Sequence, residues 1–198
     1  ELGSGRGNLS KWLKQHGDLL VTDNRAEYLK ELKERWEHLS TVRVEELDLT
    51  IATHYEVLRD FKPDTVVCLN VLEHIEDDRA VLKNLNRVLE PNARLVFLVP
   101  FNPKLTSEFD RQIGHFRRYQ TGELNAKMEE AGFAVERQFY FNKVGVLAWW
   151  LGNTLFGQRT ITVWQLKLYN VLTPIFRLLD RLLPTTGLST VVVARKKS

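Results

Sequence analysis

The feature that most constrains this chain is an alternation between two hydrophobic periods. Short aliphatic and β-branched runs at Leu19–Thr22, Val42–Leu47, Thr65–Leu69 and Arg94–Val99 are separated by stretches whose apolar residues recur at helical spacing. AEYLKELKERWEHL places Tyr28, Leu29, Leu32, Trp36 and Leu39 on one face and charge on the other. DDRAVLKNLNRVLEP does the same with Ala80, Val81, Leu85, Val88 and Leu89, and stops at Pro91. Strands alternating with amphipathic helices predict a parallel sheet with helices on both faces. At 198 residues, 43% hydrophobic and 27% charged, the chain is long enough for one domain with a sizeable core.

The second half changes character. Residues 100–120 read as a long polar loop without periodicity, a length associated with function inside a compact domain. TGELNAKMEEAGF reads as a helix with Thr121 as N-cap and Gly132 near its end. Phe133–Phe141 alternates as a strand, and 188–195 form the last one. Between them lies an insert, 145–187. VGVLAWWLGNTLFG is uncharged and aromatic. WQLKLYNVLTPIFRLLDRLLP repeats apolar residues at Leu166, Leu168, Val171, Leu172, Ile175, Phe176, Leu179, Leu182 and Leu183, with Lys167, Arg177 and Arg181 among them. Neither is a continuous apolar run long enough to span a bilayer. The insert reads either as a lid or dimer surface, or as an amphipathic element on a membrane with Trp149, Trp150 and Trp164 as interfacial anchors. The net charge of +3 does not mark a nucleic-acid binder, and the single Cys68 excludes an internal disulfide or a cysteine-rich zinc site.

Polar residues collect where the strands end. ELGSGRG spaces Gly3, Gly5 and Gly7 ahead of a helix, which allows positive φ, close approach of the backbone to a ligand, and exposed N–H groups at a helix start. The GxGxG spacing differs from the GxGxxG of dinucleotide sites, and no Walker loop is present. Asp23 ends the next strand pattern, where a carboxylate can accept hydrogen bonds from two ribose hydroxyls. Asp48 and Asn70 end the following two. Open α/β sheets bind ligands at this edge.

With ELGSGRG, VTDNRAEYL, EELDLT and DTVVCLNVLEHIEDDRAVLKNLNRVLEPNARLVFLVP together, the chain resembles the class I S-adenosylmethionine-dependent methyltransferases of the type 11/12 kind, over roughly residues 1–145 plus the last strand. Asn92-Ala93 stands where a glycine is usual. The resemblance implies a Rossmann-like doubly wound α/β sheet in the order 3-2-1-4-5-7-6, strand seven antiparallel, with the helical insert between strands six and seven. It implies a single domain, 1–198, divided into a cofactor-binding half (1–99), an active-site loop (100–120) and the insert. It also implies S-adenosylmethionine as cofactor and S-adenosylhomocysteine as product. Glu1, Gly3, Ser4 and Gly5 would approach the methionine part, and Asp23 the ribose, with Asn24 beside the adenosine. Leu47, Asp48 and Leu49 would reach the adenine, while Asn70 and Val71 would line the sulfonium end. Glu1 would close the central strand, whose body is largely missing from this chain, so further residues are expected before it.

Methyl transfer to a hydroxyl or ammonium requires removal of a proton. His115, in GHFRRY of the long loop, and His74 are the candidate bases. Arg117, Arg118 and Tyr119 are the candidate substrate contacts, an arginine pair suiting a carboxylate or phosphate. GHFRRY is similar to a segment of methyltransferases acting on bacterial surface glycans and lipid-linked products. In quinone-pathway O-methyltransferases an E-x-x-E-H turn is associated with a divalent metal; here NVLEH has Asn70 at the first carboxylate position, so no metal is expected. The expected function is methylation of a small-molecule, lipid or glycan-linked acceptor at oxygen, with a cytoplasmic location extending to the inner face of a membrane. A silent cofactor-binding scaffold and an NAD-dependent dehydrogenase are the alternatives.

Overall fold

A computed structural model of the chain describes residues 1–146, 163–183 and 185–198. The first half is built as the hydrophobic periods require. β1 (Leu19–Asp23) and β2 (Val42–Glu46) pair in parallel, with α2 (Ala26–Trp36) between them in sequence. Leu29, Leu32 and Trp36, spaced along one face of α2, pack against Leu19, Val21, Val42 and Val44. Every residue of β1 is buried, as expected for a parallel strand covered on both faces. A short helix, α1 (Ser10–Leu13), follows the glycine turn.

The larger sheet runs β3 (Thr65–Leu69), β4 (Arg94–Pro100), β6 (Ser189–Lys196), β5 (Phe133–Phe141). β3 and β4 are parallel, while β6 is antiparallel to both β4 and β5. α3 (Glu56–Phe61) and α4 (Asp78–Val88) precede β3 and β4. Val81, Leu82, Leu85 and Val88 of α4 enter the main core with Leu95, Phe97 and Tyr55. Asp77 caps α4 by accepting the Ala80 N–H. Asn92 adopts φ +69 in the turn into β4, which explains how an asparagine serves where glycine is usual.

Among the described residues there are six strands in two sheets, not one seven-stranded sheet. Leu2 bridges them, pairing in parallel with Thr22 on one side and Cys68 on the other. The Leu2 N–H donates to Val67 O at 2.9 Å, and the Thr22 N–H to Glu1 O at 3.0 Å. Read across, the order is β2-β1-Leu2-β3-β4-β6-β5.

Two local expectations are corrected. The 100–120 stretch is not a plain loop: it contains α5 (Glu108–Gln112), started by a reciprocal capping box between Ser107 and Asp110. Thr121 does not cap the next helix. α6 (Glu123–Glu130) begins after Gly122, whose φ of +75 completes a turn, and the Glu123 carboxylate reaches back to the Gln120 N–H. In the insert, α7 (Val163–Leu182) carries Pro174 in its interior. Trp149 and Trp150 lie outside the described residues, and of Trp164 and Arg181 only the backbone is described. No helix among the described residues is long and apolar enough to cross a membrane.

Candidate active site

The glycine turn is sewn to the end of β1. The Ser4 N–H donates to Thr22 O at 2.8 Å, and the Gly5 N–H to Asp23 Oδ2 at 2.8 Å. The Glu1 carboxylate accepts the Ser10 hydroxyl, which ties the start of α1 to the turn. Gly3 has φ +63, and a Cβ there would meet Val71 Cγ2 at 2.4 Å, so no side chain fits. Gly5, at φ +54, has nothing within 4 Å of the missing Cβ. That space is open to a ligand lying against the backbone.

The strand-end residues gather along the same edge. Asp23 is 6% exposed and also accepts the Arg25 N–H at 3.0 Å. Two engaged carboxylate oxygens still have lone pairs for hydroxyl donors. Asn24 Nδ2 donates to Asp48 Oδ2 at 3.3 Å, linking the second and third strand ends. Burial would raise the Asp48 carboxyl, but hydrogen bonds from the Thr50 hydroxyl and N–H hold it below the ordinary range. The Leu47 and Leu49 side chains belong to the core. Asn70, with φ +54, ends β3 and hands on to Val71, which lies over Gly3.

Beyond Val71 a second polar cluster forms. Leu72–His74 make a single 3-10 turn that buries Glu73 completely. The loop after β4 folds onto this turn, with the Phe116 N–H donating to Glu73 O at 2.9 Å. His115 Nδ1 lies 3.0 Å from Asp110 Oδ1, and His115 Nε2 lies 3.8 Å from Glu73 Oε1. The His74 and His115 rings meet edge to face at 4.6 Å. Burial would raise Asp110, but hydrogen bonds from His115 and Arg118, with the Ser107 N–H, hold it far below the carboxylate range. An ionised Asp110 only accepts, so His115 Nδ1 donates to it and Nε2 faces Glu73. Burial pushes the Glu73 carboxyl up to about 7, and neither of its oxygens has a hydrogen-bond partner. Burial, then the neighbouring His115, lowers His74.

The side chains of GHFRRY, expected to be substrate contacts, have partners within the fold. Arg118 is 7% exposed; its Nη2 pairs with Asp110 at 2.8 Å, and it donates to Phe101 O. Tyr119 is fully buried and donates to Asp78 Oδ2 at 2.8 Å. Arg117, partly exposed, pairs with the same oxygen at 2.8 Å, and Lys127 at 2.7 Å. Burial selected these partners: a buried arginine needs a carboxylate, and the fold supplies one to each. The motif therefore fastens the loop to α4, α5 and α6. Asp78 and Asp110, the two anchors, were not singled out from the sequence. The Ser107-x-x-Asp110 capping pattern was the available signal for one of them.

Residues 1–95 match the family described as a methyltransferase domain. Through these residues, just under half of its length, the chain is similar to that family. Solved methyltransferases share the fold. One from Mesorhizobium loti superposes with a TM-score of 0.65 at 14% identity, over 98% of this chain and 88% of that one. Another, from Archaeoglobus fulgidus, gives 0.64 at 17%, over 98% and 84%. The N-methyltransferase NodS of Bradyrhizobium japonicum, solved with S-adenosyl-L-homocysteine, gives 0.59 at 14%, over 100% and 76%. In sequence, an uncharacterized 37.1 kDa protein in transposon TN4556 of Streptomyces fradiae is 31% identical over 107 residues, 54% of this chain. The chain spans about 30% of that protein's length.

Proposed function

We propose that this domain binds S-adenosylmethionine across the ends of β1, β2 and β3 and transfers its methyl group to an acceptor held over the Glu73–His115 cluster. The observation that carries the reading is the run of contacts along one sheet edge: Gly5 to Asp23, Asn24 to Asp48, then Val71 over Gly3. Glu1, Gly3, Ser4 and Gly5 receive the methionine part. Asp23 takes the ribose hydroxyls, Asn24, Leu47, Asp48 and Leu49 bound the adenine, and Asn70 and Val71 face the sulfonium. Leu2 stands in the place of the central strand in the family order 3-2-1-4-5-7-6.

The acceptor is a small molecule, lipid or glycan-linked hydroxyl. Its oxygen attacks the methyl carbon, the C–S bond breaks with its electron pair kept on sulfur, and the hydroxyl proton passes to the histidine–glutamate cluster. The leaving group is already activated, so the protein contributes position and proton removal. Calorimetric titration with S-adenosylmethionine, S-adenosylhomocysteine and NAD tests the cofactor. Formation of S-adenosylhomocysteine with lipid and sugar extracts separates an enzyme from a silent scaffold. NAD binding without a response to S-adenosylmethionine would overturn the reading.

We infer a peripheral membrane contact for α7. Tyr169, Phe176 and Asp180 hold the helix to the domain: Tyr169 donates to Asn142 Oδ1 and stacks on Phe176, and Asp180 accepts the Lys143 and Val144 N–H groups. The opposite side presents Leu168, Val171, Ile175, Leu178 and Leu182, 47–73% exposed, at i, i+3, i+7 spacing. The exposed charges beside that stripe, Lys167 and Arg177, are cationic, which suits an anionic lipid surface.

A further inference from the structure

A fully buried carboxylate without a hydrogen-bond partner requires an explanation, and both oxygens of Glu73 are in that state. We propose that Glu73, His74 and His115 form a binding site for a divalent first-row transition cation. Each offers one ligand atom, and the three atoms lie within 4.8 Å of one another. The 3.8 Å between His115 Nε2 and Glu73 Oε1 is close to the ~3.0–3.4 Å that separates neighbouring ligands on metal bonds of about 2.1 Å. Side-chain adjustment of under about 1 Å closes that pair, and of up to about 1.4–1.8 Å the widest separation the three atoms span.

The surroundings are those of a metal-binding histidine. Asp110 accepts a hydrogen bond from His115 Nδ1–H and thereby turns Nε2 toward Glu73; Arg118 in turn holds Asp110. A carboxylate behind the imidazole fixes its tautomer and ring orientation and raises its basicity as a ligand. Two imidazoles and one carboxylate suit zinc, manganese or iron(II) better than magnesium or calcium. Three protein ligands leave coordination positions open, and His74 is exposed, which provides the way in. The NVLEH turn has no carboxylate at Asn70; the fold brings in His115 from the loop after β4 instead. The consequence, though not the binding, rests on the methyltransferase reading: with a cation held here the three side chains would no longer take the acceptor proton; the cation would hold the acceptor oxygen and lower the pKa of its proton, which would then leave to solvent.

The full chain, stripped with a chelator, is titrated with Zn²⁺ and Mn²⁺ by calorimetry and with Co²⁺ by visible absorption. One equivalent is expected to bind, with a Co²⁺ ligand-field band. Glu73→Gln and His115→Ala should each weaken binding at least ~10-fold, since even outer partners of such sites contribute that much. His74→Ala changes an exposed side chain, preserves the fold, and should weaken binding as well. Absence of binding, or equal affinity in His74→Ala and the wild type, overturns the proposal. S-adenosylmethionine titrated into the same stripped sample tests the methyltransferase reading separately.

Discussion

The Ser107–Tyr119 loop and the Asn70–Glu76 turn meet at His115, and each contributes a carboxylate shut away from solvent. Asp110 in the loop is 2% exposed and Glu73 in the turn 0%. Asp110 receives Arg118, His115 and the Ser107 N–H and hydroxyl, and stays ionised far below the usual range. Glu73 receives no hydrogen bond, and burial drives it up to about 7. Two carboxyls shut away from solvent thus shift in opposite directions, and the difference lies in the partners. The loop carries its own partners within GHFRRY and the capping box. The turn supplies no hydrogen bond to its carboxylate, the feature on which the proposed cation site rests. One half of the cluster is internally satisfied, and the other is the half to which the proposals assign chemistry.

The largest expected effect breaks the supporting half. Asp110→Ala leaves Arg118 buried without its counter-charge and should cost about 3–5 kcal/mol of stability, read from denaturant unfolding. Glu73→Gln removes an equally buried carboxylate and should cost under about 1 kcal/mol, because no bond is lost. Equal losses would collapse the comparison.

Next in size is the cofactor end. Asp23→Ala should weaken S-adenosylmethionine binding by ~10–100-fold in calorimetry, the worth of charge-assisted hydrogen bonds of about 1.5–3 kcal/mol. A smaller effect follows from pH. Burial would raise Asp78, but Lys127, Tyr119 and Arg117 hold it below its ordinary value. A depressed carboxylate stabilises the fold above its unfolded pKa of about 3.9 and loses that contribution as pH falls through the folded value. Acid unfolding of Asp78→Asn should therefore show a shallower decline below about pH 4 than the wild type. The smallest effect on folding belongs to α7. Val171→Ser with Ile175→Ser, at exposed positions, should change stability by less than about 0.5 kcal/mol while reducing cosedimentation with phosphatidylglycerol vesicles. Unchanged cosedimentation would remove the membrane contact.

Much of the fold was legible because hydrophobic period is a local property. Thr65–Leu69 and Phe133–Phe141 are strands with the bounds their patterns indicate, and the apolar stripe of α2 is its buried face. The strand-end Asp23, Asp48 and Asn70 were legible for the same reason. The Glu73–His115 cluster was not. A five-residue helix such as α5 is too short to show a period and is marked only by its cap. Sequence does not show burial, so the pairing of Arg118 with Asp110 and of Tyr119 with Asp78 was not legible in it. The meeting of His115 with Glu73 depends on how the loop after β4 folds back over the turn after β3, a tertiary event with no local signature.

The most direct test of the central claim is calorimetric titration of S-adenosylmethionine into the wild-type chain and Asp23→Ala, with NAD as the control ligand. One equivalent of S-adenosylmethionine bound by the wild type, a marked loss in Asp23→Ala and no heat with NAD are the predicted results. A wild-type chain that ignores S-adenosylmethionine, or binds NAD in its place, would contradict the account.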